Sequence, residues 1–455
     1  MYKRQAQLAQ GWRLACKAVT REAVEIVVPV QQQQGFSALA AEAADEGALS
    51  LAADHDYGLA VDIGTTTLAA ALVDCTDGKI LATATAVNSQ RSFGADVVSR
   101  IGAACHGKGK ALQKAVRRDL TRLMKQLLMD HPGTAARCRQ MAIAANTTML
   151  HLLMGWPCDG LGDWPFHPVS LGGKTYRAQE VLGPQSPLAD ATVTLLPGMS
   201  TYVGADITAG IWQCGLASSD DVSLFVDLGT NGEMVLGNKD QRFIASAPAG
   251  PALEGGKLTW GTGSVPGAIC GVRIERGRAK VRTIDHTVPV GICGTGILEA
   301  MAGLVREGLV DETGKLVEPY FHKGFPLAST LDYQRITLSQ QDIRESQMAK
   351  SAIRAGIESL IERSGISRQR VHQVFLAGGF GYYLDPQKAA VIGLLPADLA
   401  ERTTAVGNTS LKGAIGLLTG AVTLEELQAI AAGAEEIVLG NDEAFQRLYI
   451  DYLNF

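Results

Sequence analysis

Alternating apolar and small positions open the readable part of this chain at Gly58-Leu-Ala-Val-Asp-Ile-Gly-Thr-Thr-Thr67, and a similar pattern returns at Leu224-Phe-Val-Asp-Leu-Gly-Thr-Asn-Gly-Glu233. In each copy an apolar run ends in Asp, one apolar residue follows, then Gly and a hydroxyl residue, and a second apolar run begins. That order predicts two strands joined by a tight turn. After the first copy the pattern predicts strands over 59–63, 67–73 and Ile80 to Val87, then a long amphipathic helix or helix pair reaching Met129. A strand over 141–145, a helix from Thr148 to Met154, a loop rich in Trp and Pro, a strand from Ala191 to Leu196 and a small-residue helix from Val203 to Trp212 complete the unit. From Leu224 the order restarts: hairpin 224–237, strand Arg242 to Ala247, insertions to about 340, helix Asp342 to Arg363, strand Val374 to Ala377 and a helix over Leu411 to Leu418. A duplicated unit of this kind predicts an α/β fold of two lobes facing each other across a cleft, with the paired hairpins meeting there.

Residues 1–30 carry a short helical piece and the strand Val24-Glu-Ile-Val-Val-Pro29, too little for a core. Residues 31–57 are Gln-rich and then Ala/Glu/Asp-rich, and read as a linker, so folding proper is expected to begin near Tyr57. The 455 residues with 46% hydrophobic content suffice for two or three cores. Formal charge is -5, pI is about 6.0, and Lys and Arg are scattered, which argues against nucleic acid as a partner. The start lacks the apolar core of a signal peptide, and apolar runs are broken by Gly or charge before they reach membrane-spanning length, so the expectation is a cytoplasmic protein without membrane attachment. The 8 Cys include no CxxC pair, which leaves a zinc or thioredoxin-type site unsupported.

The turns themselves carry the candidate chemistry. Gly64 and Gly229 lack side chains, so phosphate oxygens can approach backbone N–H groups, while Asp62 and Asp227 stand at strand ends suited to a hydrated metal ion. Two further glycine clusters fit the same cleft. Val374-Phe-Leu-Ala-Gly-Gly-Phe-Gly381 runs a buried strand into Gly378 and Gly379, where main chain can lie flat against a planar base. Gly291-Ile-Cys-Gly-Thr-Gly296 opens the helix Ile297 to Leu304, so Gly294 and Gly296 are candidates for a phosphate or ribose contact. Small-faced segments at Gly204 to Gly210 and Gly413 to Leu418 each close one repeat, and fit either a hinge between lobes or tight packing on a sheet.

With these elements in place the chain resembles the superfamily of acetate and sugar kinases, heat-shock chaperone ATPases and actin. Its wording is most similar to ATP-dependent reductive activators of corrinoid proteins, in the phrases AVDIGTTT, FGADVVSRI, NTTMLHLLMG, YVGADITAGI, VDLGTNGEMVLG, ICGTGILEA, DIRESQMAKSAIRAGI and LAGGFG. The resemblance spans residue 58 to the end. It implies duplicated ribonuclease-H-like, actin-like ATPase lobes over 58–212 and 213–455, the second with a C-terminal extension, and an ATP and Mg2+ site in the interlobe cleft. It also implies that Asp62 and Asp227 hold Mg2+ through water and orient the attacking water, with Thr65, Thr66, Thr230 and Asn231 contacting the β- and γ-phosphates. Asp206 is a third carboxylate candidate, with a helix N-cap as the equal alternative. Lys350 is a candidate for ribose or base, or a solvated surface lysine. Asp96 and Arg100 have i,i+4 spacing and read as a helix-surface pair.

The implied activity is ATP hydrolysis that drives reduction of an inactive cobalt(II) corrinoid protein to cobalt(I). The implied partners are that corrinoid protein and a low-potential donor such as a ferredoxin, with a homodimer as a possible assembly. A small-molecule kinase, with a substrate pocket on the Trp156 to His167 loop near Asp159 and Asp163, and a binding module without turnover are the alternatives. Members of the family carry a two-iron ferredoxin-like domain, and Gly11-Trp-Arg-Leu-Ala-Cys16 with strand 24–29 is similar to its final ligand and closing strand. One thiolate cannot hold a cluster that takes four ligands, so residues 1–30 read as a remnant of that domain, either decayed or cut short by a late start of the sequence, with an unrelated lone Cys on a helix as the alternative, and no iron-sulfur cluster is expected on this chain.

Overall fold

The computed structural model describes residues 55–378, 384–440 and 442–455. Cys16, the N-terminal remnant and Gly379 lie outside the described residues, as does the linker except for its last three positions.

Tyr57 already belongs to the first strand. β1 (Tyr57–Ile63), β2 (Thr67–Asp74) and β3 (Ile80–Val87) form an antiparallel meander. The long helix is a pair, α1 (Val97–Ala103) and α2 (Gly109–Asp130), joined by a wide turn in which Gly107 has φ +81°. β4 (Cys138–Ala145) then pairs in parallel with β1, and α3 (Thr147–Met154) follows. The stretch expected only as loop supplies an edge strand, β5 (Lys174–Arg177), before β6 (Thr192–Leu195) and α4 (Ala205–Gln213). β5 reads Lys-Thr-Tyr-Arg and is largely exposed, so no apolar alternation marks it in the sequence. The first sheet runs β3-β2-β1-β4-β6-β5.

The second half repeats this plan. β7 (Val222–Leu228), β8 (Gly232–Gly237) and β9 (Arg242–Ala247) form the meander. The insertion builds a separate three-stranded sheet from β10 (Ala268–Glu275), β11 (Arg278–Thr283) and β12 (Gly291–Ile292). It also contains α5 (Gly294–Arg306) and the hairpin of β13 (Phe325–Ser329) and β14 (Arg335–Leu338). α6 (Gln340–Ser364) leads into β15 (Val371–Ala377), which pairs in parallel with β7 as β4 does with β1. β16 (Thr403–Gly407), α7 (Thr409–Leu418), α8 (Leu424–Ala432), β17 (Ala434–Glu436) and α9 (Glu443–Asp451) complete the chain. The second sheet runs β16-β15-β7-β8-β9-β17, so the meander and the two parallel additions occur twice in the same order.

Strand parity explains how the halves meet. Leu59, Val61 and Ile63 of β1 and Leu68 and Leu72 of β2 face the core beneath α1, α2 and α3. The opposite face of the same strands carries Ala60, Ala69, Ala71 and Val73, with Ala142 and Ala144 of β4, and joins a shared core with α4, α7 and Phe225. Small residues on that face let helices approach closely, and α7, from the second half of the chain, packs on β1 and β4. α4 and α7 cross at Gly413, where a Cβ would stand 2.3 Å from the Ala209 Cβ. Asp62 has the parity of Ala60, and Asp227 that of Phe225, so each strand-end carboxylate is turned toward the face where the two helices cross.

Candidate functional site

Both turns are closed by the same device. The Gly64 N–H donates to the Thr67 carbonyl at 3.0 Å, and the Gly229 N–H to the Asn231 carbonyl at 3.0 Å. The ladders pair Ile63 with Leu68 and Leu228 with Gly232, so the first turn is one residue longer. A Cβ on Gly64 would lie 2.7 Å from the Thr67 carbonyl oxygen, which ties that glycine to the turn.

The cleft between the turns is lined by Asp62, Gly64, Thr65, Thr66, Asp206, Asp227, Gly229, Thr230, Asn231, Gly294 and Gly378 among the expected residues. Gly378 has φ +104°, and a Cβ there would meet the Leu228 carbonyl oxygen at 2.5 Å and the Asp227 Oδ1 at 2.9 Å, so glycine lets β15 end flush against the second turn. Gly296 does not line the cleft. Its bare Cα faces β10, where a Cβ would stand 2.1 Å from the Ile269 carbonyl, and it serves helix–strand packing.

Lys350 requires a correction. It is fully buried in α6, away from the cleft, with Nζ donating to the Asn454 carbonyl at 2.5 Å and lying 5.1 Å from the centre of the Phe455 ring. Burial, followed by the nearby Arg354 charge, pulls its ammonium down to about 8. The lysine is neither a nucleotide contact nor solvated surface, because the C-terminal segment covers it. Asp96 and Arg100 also depart from a surface pair. Asp96 caps α1 through the Ser99 N–H, whereas Arg100 is buried and donates from Nε to the Gly94 carbonyl at 3.0 Å.

Asp206 is not an N-cap. Gly204 holds that position, and Asp206 sits in the first turn of α4 with Oδ1 accepting the Ile207 N–H at 3.0 Å. Burial first, and then the charge of Asp62, push its carboxyl up to about 7. Asp62 is raised by burial, opposed by hydrogen bonds from Ser410 and Asn408, each at 2.8 Å. Asp227 is raised well above the ordinary range by burial and then by Asp206, Asp62 and Glu254.

Five side chains the sequence reading did not select complete the site. Asn408 caps α7 with Oδ1 and gives Nδ2 to Asp62, while Ser410 gives its hydroxyl to the other Asp62 oxygen, so both oxygens are held from the far half of the chain. Asn146 caps α3 in the same manner and gives Nδ2 to the Thr65 hydroxyl at 3.1 Å. The visible signal for both is an Asn directly before a Thr-rich helix start. Glu233 and Glu254 also line the cleft. Glu233 pairs with Asp227 across the hairpin and is raised well above its ordinary value by burial, then by Asp206 and Asp227.

The cleft therefore gathers five carboxylates, and no Lys or Arg is among its described lining residues. An all-oxygen set of acids suits a hard cation such as Mg2+, whose charge favours their ionised form. Among the described residues, however, only His55, Asp74 and Asp77 bring three possible ligand atoms within 4.8 Å of one another, and they lie outside this cleft. The spread of the cleft carboxylates suits an ion held through its water shell, since Mg2+ dehydrates reluctantly.

Comparisons agree with this architecture. Residues 57–219 match the RACo middle region, and residues 221–455 match the C-terminal domain of RACo, the ASKHA domain. The chain is 33% identical over 415 residues to the corrinoid activation enzyme RamQ of Eubacterium limosum, covering 87% of this chain and 69% of that one. It is 25% identical over 431 residues to the [Co(II) methylated amine-specific corrinoid protein] reductase of Methanosarcina barkeri, covering 88% and 77%. Among solved structures, a reductive activator for corrinoid, iron-sulfur protein superposes with a TM-score of 0.83 at 34% identity, covering 89% of this chain and 67% of the other. The chain belongs to the RACo family, and its fold is that of the actin-like ATPase lobes of the ASKHA class.

Proposed function

We propose that this protein hydrolyses Mg-ATP in the interlobe cleft and uses the resulting change of lobe arrangement to drive reduction of a cobalt(II) corrinoid protein to cobalt(I). The observation that carries the reading is the convergence of two phosphate-type turns and a flush Gly378 on one carboxylate-lined cleft, within a chain of the RACo family. In this reading Gly64, Thr65, Thr66, Gly229, Thr230 and Asn231 take the phosphates, Gly294 serves a phosphate or the ribose, and Gly378 with Gly379 takes the adenosine. Asp62 and Asp227 hold the hydrated Mg2+, with Asp206 as a third catalytic carboxylate. The lobes extend over 58–212 and 213–455.

ATP turnover couples to a partner when the partner binds the open and closed arrangements with different affinity. A corrinoid partner is supported by what the relatives are named for, and a low-potential donor such as a ferredoxin supplies the electron. The kinase alternative has no comparable support, because Asp159 and Asp163 do not line the cleft. No helix among the described residues is long and apolar enough to cross a membrane.

The test mixes the protein with corrinoid proteins of the same genome, Mg-ATP and a low-potential donor, and follows the cobalt(I) absorption band. ATP-dependent cobalt(I) is the expected result. Its absence with every candidate, together with phosphorylation of a small metabolite, would move the assignment to a kinase.

A further inference from the structure

Glu254 occupies a position that neither the turns nor the strand-end aspartates explain. It closes a single 3-10 turn, Pro251–Glu254, bracketed by Gly250 at φ +74° and Gly255 at φ +80°. Ala252 and Leu253 of that turn are buried in the second core, so the glutamate is carried on an anchored element. Its Oε2 accepts the Thr66 hydroxyl at 3.0 Å and also the Thr230 hydroxyl. One carboxylate oxygen thus receives a donor from each of the two phosphate turns. Its Oε1 has no hydrogen-bond partner among the described residues, and Glu254 lines the cleft.

The other acids of the cleft lack this anchor from both turns. Both oxygens of Asp62 are held by Asn408 and Ser410. Asp206 has the Ile207 N–H on Oδ1, and Glu233 has the Asn231 amide on Oε1 at 3.4 Å. Asp227 stands at the end of its strand, with Oδ1 beside Gly378 and without a hydroxyl from either turn among the described contacts. A group that takes a proton from an attacking water needs one lone pair free, an anchor fixing its direction and a place beside the terminal phosphate. Glu254 alone combines an unpartnered oxygen with an anchor made by one hydroxyl from each of the two turns whose backbone N–H groups are proposed to take that phosphate.

We propose that Glu254 is the general base of ATP hydrolysis in this protein. The inference rests on the cleft being the Mg-ATP site. Oε1 accepts a proton from the attacking water as the water oxygen bonds to the γ-phosphorus. The bond from that phosphorus to the β,γ-bridging oxygen breaks, ADP leaves with the electron pair, and the proton passes from Glu254 to the released phosphate or to solvent. Burial raises the carboxyl, and hydrogen bonds from Thr230 and Thr66 with the Arg100 charge oppose that rise.

The experiment compares wild type, Glu254→Gln and Glu254→Asp in single-turnover ATP hydrolysis, with Mg-ATP binding read separately from the nucleotide-dependent rise in melting temperature. Glu254→Gln is expected to lower the hydrolysis rate by about a hundredfold or more, the usual contribution of a positioned base. Binding is retained or tightened, because a negative charge beside the phosphates is removed. Glu254→Asp retracts the oxygen by one methylene and is expected to slow hydrolysis while keeping both fold and binding, which covers the case of a glutamine variant that does not fold. A rate within about threefold of wild type in the variants that fold, or a loss confined to nucleotide binding, overturns the assignment. If the wild type itself shows no nucleotide-dependent stabilisation, the cleft reading falls and this inference with it.

Discussion

Gly413→Ala puts the crossing of α4 and α7 to a direct test. The added Cβ would stand 2.3 Å from the Ala209 Cβ and 2.9 Å from the Ala209 Cα, both atoms without a rotamer to escape through. Carbon pairs settle at about 3.5–4.0 Å, so the helices must separate by roughly 1.5 Å. Overpacking of this kind costs about 1–3 kcal/mol, against about 1 kcal/mol regained from helix propensity. The displacement also reaches the cleft, because the same helix start carries Asn408 and Ser410, which hold both oxygens of Asp62. A second helical glycine provides the control. A Cβ on Gly102, in α1, meets nothing within 4 Å, so Gly102→Ala is expected to gain about 0.5–1 kcal/mol. The assay is the melting temperature of both variants with and without Mg-ATP. Opposite signs are expected for the nucleotide-free shifts, with a reduced nucleotide-dependent rise for Gly413→Ala alone. A Gly413→Ala protein as stable as wild type with an unchanged nucleotide response would refute the argument that close helix approach sets the geometry of the cleft.

Gly378→Ala forces a side chain at φ +104° into the Leu228 carbonyl and the Asp227 carboxylate, and is expected to abolish the nucleotide-dependent melting shift while the fold survives, as read by circular dichroism. The folded protein keeps a proton on Asp206 up to about pH 7, whereas an ordinary aspartate loses it near 3.8. Nucleotide-free stability therefore falls as pH rises between those values and levels above about 7. Asp206→Asn should flatten that fall and gain about 2 kcal/mol at pH 8 but little at pH 4, after discounting for the side open to the cleft, and equal slopes in denaturation curves would count against it. Lys350→Met is expected to leave Mg-ATP affinity within about twofold, since a 1.4 kcal/mol loss would already be tenfold and no cleft contact is removed; a larger loss by calorimetry would restore the ribose reading.

The repeated hairpin was legible because a turn that must admit a ligand leaves a local mark: an Asp at a strand end, a glycine where no Cβ fits, and a hydroxyl residue, all within a few positions. Asp62, Gly64, Thr65, Asp227 and Gly229 could be found by that mark, and the strands around them by alternation. Glu254 could not. Its place depends on a contact to Thr66, 188 residues earlier, and its own neighbourhood, Gly250-Pro-Ala-Leu-Glu-Gly, reads only as a glycine-rich turn. Asn408 and Ser410 reach Asp62 across 346 and 348 residues, a pairing set by α7 lying on the sheet of the other half. Lys350 was misread for the complementary reason. A lysine on a helix is ordinarily solvated, and only the packing of the C-terminal residues on α6 shows why this one is buried.

The charge pattern of the cleft links the fold to the proposed coupling. Asp62 belongs to the first half of the chain, Asp227 to the second, and the shared core places their strand ends face to face. Burial raises Asp62, Asp206, Asp227 and Glu233, and the charges of neighbouring acids add to the rise at Asp206, Asp227 and Glu233, so approach of the turns is opposed by the acids that line them. In the proposed reading a hydrated Mg2+ brought in with a triphosphate reverses the sign of that interaction, while backbone N–H groups of the two turns take the phosphates and the Thr66 and Thr230 hydroxyls stay on Glu254. On that proposal, loss of the γ-phosphate weakens the hold on the cation, so closure is favoured only while the triphosphate is intact. In the same proposal a partner recognising the closed arrangement is held and released once per turnover, and the magnitude of coupling is limited by its difference in affinity for the two arrangements.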